Sequence, residues 1–380
     1  MKKICYVVTL PLTIRSFFIP QLKYLAENGF DVTVICNPDD DLNCDLGKKV
    51  KFIPVEIPRG ISFLGSVKTI SKLVHIFKKE KFDLIQYSTP NAALYSAIAA
   101  KKAKCLIRNY HCMGFRYLGF SGAFKIIFKF IEKVTCNLST NIECVSKSNL
   151  KLGIEEKLFN EKKATVVFHG STGGVDLKRF NIKYREKWCE EIRIKYNLKK
   201  DDFVYGFVGR ITRDKGINEL LKAFFLLEDN SKLLLVGKVE KNNHIDAGLL
   251  KKAVNHEDII YIGKVNDVEK YFAAIDVLIL PSYREGFGNV IIEAEAMGIP
   301  VIASNIPGPI DTMIDEVTGI IISPKDIMGL KKAMIEIKEN FLEKEYANKC
   351  YEYVKKSFDS ELICKKILER KKLLLRSLDE

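Results

Sequence analysis

Short apolar runs recur along this chain in two series, each followed by a stretch with the 3.6-residue rhythm of an amphipathic helix. A buried parallel strand reads as a near-continuous apolar run, because helices cover both of its faces. The first series falls at Ile4 to Val8, Asp31 to Cys36, Lys51 to Ile57, Asp83 to Tyr87, Cys105 to Arg108, Ile142 to Val145 and Thr165 to Phe168. The second falls at Phe203 to Val208, Ser231 to Val236, Ile259 to Ile262, Val277 to Leu280, Pro300 to Ala303 and Gly319 to Ile322. Helical stretches lie between them at Phe17 to Asn28, which stops at Asn28-Gly29, and at Leu64 to Glu80, Phe124 to Leu138 and Ile217 to Leu227. The pattern predicts an α/β chain of two Rossmann-like, doubly wound parallel-sheet domains facing a shared cleft.

The glycines of His169-Gly170-Ser171-Thr172-Gly173-Gly174 suit a join between the halves, and charged helical sequence from Lys183 to Lys195 leads into the second. The expected domains are residues 1–177, residues 178–350 and a helical tail, residues 351–380, placed where it can pack back on the first domain. Tyr351 to Leu378 reads as one or two helices. At 380 residues each domain has the size to bury its own core.

Apolar content of 47% and charged content of 29% are those of an ordinary globular protein, which argues against disorder. No apolar run reaches the roughly 18 residues that span a bilayer, and Met1-Lys2-Lys3-Ile4 runs straight into a strand pattern, so no signal peptide is expected. The ten cysteines show no C-x-x-C spacing and read as reduced core residues of a cytosolic protein. The net charge of +13 concentrates in residues 1–177, with 26 Lys and Arg against 15 Asp and Glu. A basic face of that kind suits nucleic acid, an anionic membrane or a phosphorylated substrate. Nucleic acid is the weakest of the three, since the lysines are dispersed and no zinc-finger or RRM-type motif accompanies them.

The chemistry concentrates after two strands of the second half. Glu285-Gly286-Phe287-Gly288-Asn289-Val290-Ile291-Ile292-Glu293 follows the run Val277 to Leu280. Its glycines let backbone approach a ligand, and Asn289 is the expected N-cap of a helix running to Met297. Helical amides there would meet a phosphate or sugar. Glu285 falls in the loop and Glu293 one turn inside the helix, so the carboxylates reach different parts of an extended ligand. Taken alone, Glu293 equally suits an acidic first turn answering the helix dipole. Gly209-Arg210 and Lys215-Gly216 end the run Phe203 to Val208. Arg210 offers a bidentate fork for phosphate and Lys215 a point charge, although a basic loop by itself is commonly just solvated.

Together, Gly209-Arg210, Lys215-Gly216, the glutamates of an E-x7-E motif, Ser282-Tyr283-Arg284-Glu285-Gly286-Phe287 and Glu293-Ala294-Glu295-Ala296-Met297-Gly298-Ile299-Pro300 resemble the retaining, nucleotide-sugar-dependent glycosyltransferases of family 4. Ile14-Arg15-Ser16-Phe17-Phe18-Ile19-Pro20 and His111-Cys112-Met113-Gly114-Phe115 are similar to the branch that builds capsule, O-antigen and other polyprenyl-linked glycans. The resemblance implies the two-domain GT-B fold, an acceptor-binding first domain and a nucleotide-sugar-binding second domain. It implies that Arg210 and Lys215 hold the donor diphosphate, Glu285 contacts the donor sugar and Glu293 the ribose. Gly209, Gly286, Phe287, Gly288, Asn289 and Val290 would complete the donor pocket. His111 matches the family's histidine near the reacting sugar, although a lone His after a strand more often has a structural role.

Many members have a glycine-rich loop after the first strand, whereas this chain has Thr9-Leu10-Pro11-Leu12-Thr13-Ile14-Arg15. Arg15 is a candidate for a donor or acceptor phosphate there, or a surface arginine at a helix start. Asp39-Asp40-Asp41 contains a D-x-D, discounted as a metal motif because acidic loop residues are common after a strand and the phosphates have cationic partners. No metal and no cofactor are expected.

The implied partners are a nucleotide-sugar donor, UDP being the branch's commonest nucleotide, and a polyprenyl-diphosphate-linked glycan acceptor. Phe115-Arg116-Tyr117-Leu118-Gly119-Phe120 and Phe124 to Lys133 interleave aromatics with cations, as in a segment lying on an anionic leaflet. The same stretch also suits an ordinary core helix with exposed lysines. With the basic first half, it gives the expectation of a cytoplasmic protein, peripheral on the inner leaflet of the plasma membrane. The main rival is a nucleotide-sugar 2-epimerase of the same architecture, acting on UDP-N-acetylglucosamine without an acceptor.

Overall fold

The computed structural model of the chain describes residues 1–60, 63–240, 244–340 and 344–376. Among these, the strands form two separate all-parallel sheets, one of seven strands and one of six. The first contains β1 (Lys3–Val7), β2 (Asp31–Cys36), β3 (Val50–Pro54), β4 (Leu84–Tyr87), β5 (Ile107–Cys112), β6 (Asn141–Cys144) and β7 (Ala164–Val166), in the order β3-β2-β1-β4-β5-β6-β7. The second contains β8 (Val204–Val208), β9 (Lys232–Val236), β10 (Ile259–Gly263), β11 (Val277–Leu280), β12 (Val301–Ser304) and β13 (Gly319–Ile322), in the order β10-β9-β8-β11-β12-β13. Every apolar run named from the sequence overlaps a strand.

The chain divides into two compact units, one of Met1–Gly173 with Ser360–Glu380 and one of Gly174–Asp359. In the first unit, alternate residues of each strand feed opposite faces of the sheet. Cys5, Val7, Ile35 and Ile85 enter one core, and Ile4, Tyr6, Val34 and Leu84 the other. The helix Ser360–Arg376 closes the second core with Ile363, Ile367, Leu368, Leu374 and Leu375. Each contributes about 1.5–3 kcal/mol relative to a water-exposed side chain. In the second unit Val277, Leu278, Ile279 and Leu280 are all fully buried, as a strand covered on both faces requires.

Four sequence expectations need correction. The helix expected over Phe17 to Asn28 starts two residues later, at Ile19, and Pro11–Phe17 is a separate helix before it, because Pro20 lies in the first turn of the second and cannot donate to a preceding carbonyl. Strand β5 starts and ends later than Cys105 to Arg108, so His111 lies within the strand and not after it. The tail is two helices, one of the two expected forms, but the first, Lys344–Ser357, starts before Tyr351; the second is Ser360–Arg376, and the expected end at residues 377 and 378 lies outside the described residues. Among the cysteines Cys44 is exposed, on the short helix Leu42–Leu46.

Candidate functional site

In the six-stranded sheet the order reverses between β8 and β11, which are hydrogen-bonded neighbours although β9 and β10 separate them in sequence. Loops leaving the carboxyl ends of such a pair diverge and leave a crevice where ligands bind in open α/β sheets. Both motifs lie there: residues 209–216 follow β8 and residues 281–288 follow β11.

The two loops are tightly interlocked. Gly216 has φ +73° and lies so close to the second loop that a Cβ on it would sit 2.0 Å from the Pro281 carbonyl oxygen. Only glycine meets both conditions. The Tyr283 amide donates to the Asp214 carbonyl (2.9 Å). The Asp214 carboxylate accepts from Thr212 Oγ1 (2.5 Å) and from Arg284 (3.1 Å). Burial pushes the Asp214 carboxyl up, but the Thr212 hydroxyl together with Arg284, Arg210 and Lys215 outweighs it and leaves the group below its usual value.

Lys215 and Glu285 come together across this seam: Lys215 Nζ forms a hydrogen-bonded ion pair with Glu285 Oε1. Ser282 Oγ donates to the same oxygen (2.9 Å), so its partner oxygen is left without a hydrogen bond among the described residues. Both side chains are largely buried, at 17% and 13% exposure. Arg210, by contrast, is exposed and has no hydrogen bond or ion pair among the described residues. Gly209, half-buried, turns the chain out of β8.

The helix beyond β11 spans Asn289–Ala296, and its N-cap is Gly288 at φ +97°, not Asn289 as expected. A left-handed cap position disfavours a side chain, so glycine takes it and Asn289 becomes the first helical residue. The Ile291 amide donates to the Gly288 carbonyl (2.8 Å), while those of Gly288, Asn289 and Val290 meet no backbone acceptor among the described residues. Phe287 is buried edge-on against Phe358, with ring centroids 5.5 Å apart, so only its backbone is available beside Gly286. Glu293 lies one turn into the helix, half-buried, with no hydrogen bond to its carboxylate among the described residues. Burial raises its pKa to about 7, with Arg179 pulling down and Glu269 pushing up.

His111 and Arg15 belong to the first unit. His111 is buried, its Nε2 is 3.1 Å from Thr172 Oγ1 and its Nδ1 has no partner among the described residues. Phe18 meets the ring edge-on at 5.7 Å. Burial takes the His111 pKa down to about 4, Glu143 opposing and Lys371 reinforcing the shift. Arg15 is held bidentately by Asp39 (2.6 and 2.9 Å) and also by Asp45, so Asp39 of the D-x-D already has a cation. At the reversal between β1 and β4, Thr9 Oγ1 and Thr89 Oγ1 meet at 2.8 Å where glycines were missing from the loop.

The sequence reading did not single out Asp214, Ser282, Thr89 or Thr172 as contacts of these groups. Ser282 directly follows Pro281, and Asp214 directly precedes Lys215, so adjacency to a motif was the signal present.

Residues 21–172 match the family described as Glycosyltransferase Family 4, and residues 189–357 match Glycosyl transferases group 1. The capsular polysaccharide biosynthesis glycosyltransferase CapM of Staphylococcus aureus is 30% identical over 369 residues, covering 95% of this chain and 94% of CapM. The chain belongs to glycosyltransferase family 4. A further relative, the UDP-Gal:alpha-D-GlcNAc-diphosphoundecaprenol alpha-1,3-galactosyltransferase of Escherichia coli, is 26% identical over 91% of this chain and 92% of its own. A glycosyltransferase of Rickettsia africae superposes with a TM-score of 0.81 at 22% identity, covering 98% of each chain, which shows the same fold. The two sheets and their topology are those of the GT-B fold. Among the described residues of this family 4 glycosyltransferase, no helix is long and apolar enough to cross a membrane.

Proposed function

We propose that this glycosyltransferase takes a sugar from a nucleoside diphosphate sugar, a UDP-sugar, and adds it with retention to a growing polyprenyl-diphosphate-linked glycan of the capsule, O-antigen or exopolysaccharide kind. The single observation that carries this reading is the Lys215–Glu285 pair at the sheet's reversal point, on the same loop as Arg210, which has no hydrogen bond or ion pair among the described residues. Two cations, a carboxylate with an open oxygen and three helical amides are the groups that a diphosphate bonded to a polyol needs. The names of CapM and of the E. coli galactosyltransferase supply the classes of product, donor and lipid-linked acceptor.

As the anomeric carbon–oxygen bond breaks, negative charge gathers on the leaving diphosphate. Arg210, Lys215 and the amides of Gly288, Asn289 and Val290 stabilise it by preorganised electrostatics, so no metal ion is required. The acceptor hydroxyl bonds to the anomeric carbon on the face the diphosphate leaves, and its proton passes to the leaving phosphate oxygen. Glu285 accepts from a donor-sugar hydroxyl and Glu293 from the ribose. His111, with a neutral ring, lies with the acceptor domain and meets the reacting sugar. Arg15 is assigned to a phosphate that displaces Asp39 or Asp45 from its guanidinium. Residues 1–177 are assigned to the acceptor, 178–350 to the donor and 351–380 to the tail helices.

Membrane attachment belongs to the same proposal. On the helix Gly122–Leu138, Phe124, Ile126 and Phe130 are 59%, 72% and 67% exposed, interleaved with Lys125, Lys129 and Lys133. A core helix would hide those rings; an interfacial helix presents them, with lysines at the headgroups. We assign this helix to the anionic inner leaflet and the protein to the cytoplasmic face.

The test is a panel of UDP-, GDP-, dTDP- and ADP-sugars with and without EDTA, reading nucleotide release and the product's anomeric configuration. Turnover of a UDP-sugar, insensitive to EDTA and giving the donor's own configuration, supports the proposal. Inversion, or abolition by EDTA, removes the corresponding part.

A further inference from the structure

One face of the first sheet carries a line of polar groups that the proposed transfer reaction does not use. Tyr6 and Gln86 are register partners, as are Gln86 with Asn109 and His111 with Glu143. Since side chains alternate along a strand, Asn109 and His111 project to the same face, while Tyr110 between them stacks on Tyr87 beneath the sheet. The helix Ser360–Arg376 covers that face and drives Lys371 into it. Lys371 is 1% exposed, and its Nζ donates to Glu143 Oε2 at 2.7 Å and to Gln86 Oε1 at 2.6 Å; burial pushes its pKa down while Glu143 holds the ammonium charged. Glu143 is 4% exposed and also accepts from Arg370 Nε at 3.4 Å. Gln86 Oε1 takes a further bond from Asn109 Nδ2 at 2.9 Å. His111, Glu143, Lys371, Gln86 and Gln21 line one cavity of about 10 Å³, the room of a single water.

A buried carboxylate beside an imidazole ordinarily captures it, taking a hydrogen bond and holding the ring charged. Here the ring keeps Nε2 on Thr172 and leaves Nδ1 without a partner among the described residues, and both oxygens of Glu143 are turned to Arg370 and Lys371 of the C-terminal helix. We propose that Lys371 is a positioning residue for His111: by engaging Glu143 across the strand pair, it prevents that carboxylate from capturing the ring and keeps His111 available as a neutral group. The relation to catalysis rests on the role given to His111 under Proposed function; the coupling itself does not.

The charged and titratable groups on the face of His111 are Glu143 on β6, Lys371 and Arg370 on the C-terminal helix and Tyr6 on β1; Cys144, next along β6, projects to the opposite core. Tyr6 gives its hydroxyl to Gln21 (3.3 Å), and burial raises its pKa, so it stays neutral. The hydrogen bond with Cys112, together with burial, raises the Cys144 thiol. Burial pushes the Glu143 carboxyl up, but Lys371 overrides it and brings the pKa to about 2. At His111, therefore, burial makes the largest contribution and the opposing charges are Glu143 against Lys371.

The experiment follows the imidazole proton resonance of His111 against pH in the full-length protein, assigned by its loss in His111→Gln. Wild type should show no titration above about pH 5. Lys371→Met should raise the midpoint by at least one pH unit, and Glu143→Gln/Lys371→Met, which removes both charges, should return it. Lys371→Gln, a smaller change, carries the test should Lys371→Met not fold. A midpoint in the Met or Gln variant within 0.3 units of wild type overturns the proposal, even if those variants lose stability. If the midpoint shifts but turnover by His111→Gln equals wild type, the positioning holds and the catalytic assignment of His111 fails.

Discussion

Lys215 and Glu285, 70 residues apart in sequence, share a largely buried ion pair that joins the loop after β8 to the loop after β11. Removing one member of a buried pair leaves the other uncompensated. In the proposed donor complex the same ammonium serves the diphosphate, so the pair holds Lys215 in position before the donor arrives. Lys215→Ala should therefore lower turnover by about 100- to 1,000-fold, the scale of losing one preorganised charge-stabilising donor. Steady-state kinetics with saturating donor checks this, and turnover within threefold of wild type contradicts it.

Gly216→Ala tests the seam itself. A left-handed alanine with its Cβ 2.0 Å from the Pro281 carbonyl cannot be accommodated without parting the two loops. The expected cost is about 3 kcal/mol. For a unit of this size it lowers Tm by roughly 6–12 °C. Calorimetry showing an unchanged Tm would mean that the loops are not locked together at this point.

Glu295 yields a pH prediction independent of function. It is fully buried on the helix Asn289–Ala296, and neither carboxylate oxygen has a hydrogen-bond partner among the described residues. Thr318, its polar neighbour, is instead committed to the Ile314 backbone (2.9 Å). Burial raises the Glu295 pKa well above its ordinary value, the Thr318 hydroxyl opposing weakly. An acid whose folded pKa is raised stabilises the fold fully below its unfolded pKa and progressively less as pH climbs toward the folded one. Glu295→Gln should thus match wild type near pH 4 and become increasingly more stable than it as pH rises. Urea melts of both proteins at several pH values check the difference, and a gap that shrinks with rising pH is the contrary result.

Glu293 should make donor binding pH-dependent. With its pKa raised to about 7 by burial, the carboxylate is half protonated near neutrality, and only the charged form is the strong acceptor proposed for the ribose. Affinity for a UDP-sugar, whose diphosphate stays fully ionised, should rise several-fold from pH 6 to pH 8. Glu293→Gln should flatten that slope. Calorimetric titration at the two pH values decides, and an equally steep slope in the variant removes Glu293 from the site.

Phe124→Ser/Ile126→Ser/Phe130→Ser should abolish sedimentation with vesicles containing anionic lipid while leaving the fold intact, since all three side chains are exposed. Lys125→Ala/Lys133→Ala should weaken it by about 30-fold, at roughly 1 kcal/mol per lysine near an anionic surface. Equal binding by the triple variant and wild type would take this helix off the membrane.

The strands were legible because parallel strands buried on both faces must be written in apolar residues, as Val277 to Leu280 are. Strand β5 was misplaced for the opposite reason: Asn109 and His111 are polar because they face Gln86, Glu143 and Thr172, partners distant in sequence. Pro20 could have set the start of the Ile19–Glu27 helix in advance, since a proline in the first turn is a local signal. Gly288 is less legible, because its left-handed cap depends on where the loop from β11 ends. The residues of the donor loops could be named from their motifs. Their pairing could not, and neither could the bond from Glu143 to Lys371 across 228 positions, because hydrogen bonds of that span leave no trace in a single sequence.

The central claim is that Arg210 and Lys215 together grip the donor's diphosphate. Its most direct measurement is a calorimetric titration of UDP into wild type and into Arg210→Ala/Lys215→Ala, with Tm recorded to show that both are folded. The account expects one saturable site per chain in wild type and affinity at least 100-fold weaker in the double variant. Equal affinities in two folded proteins would contradict it.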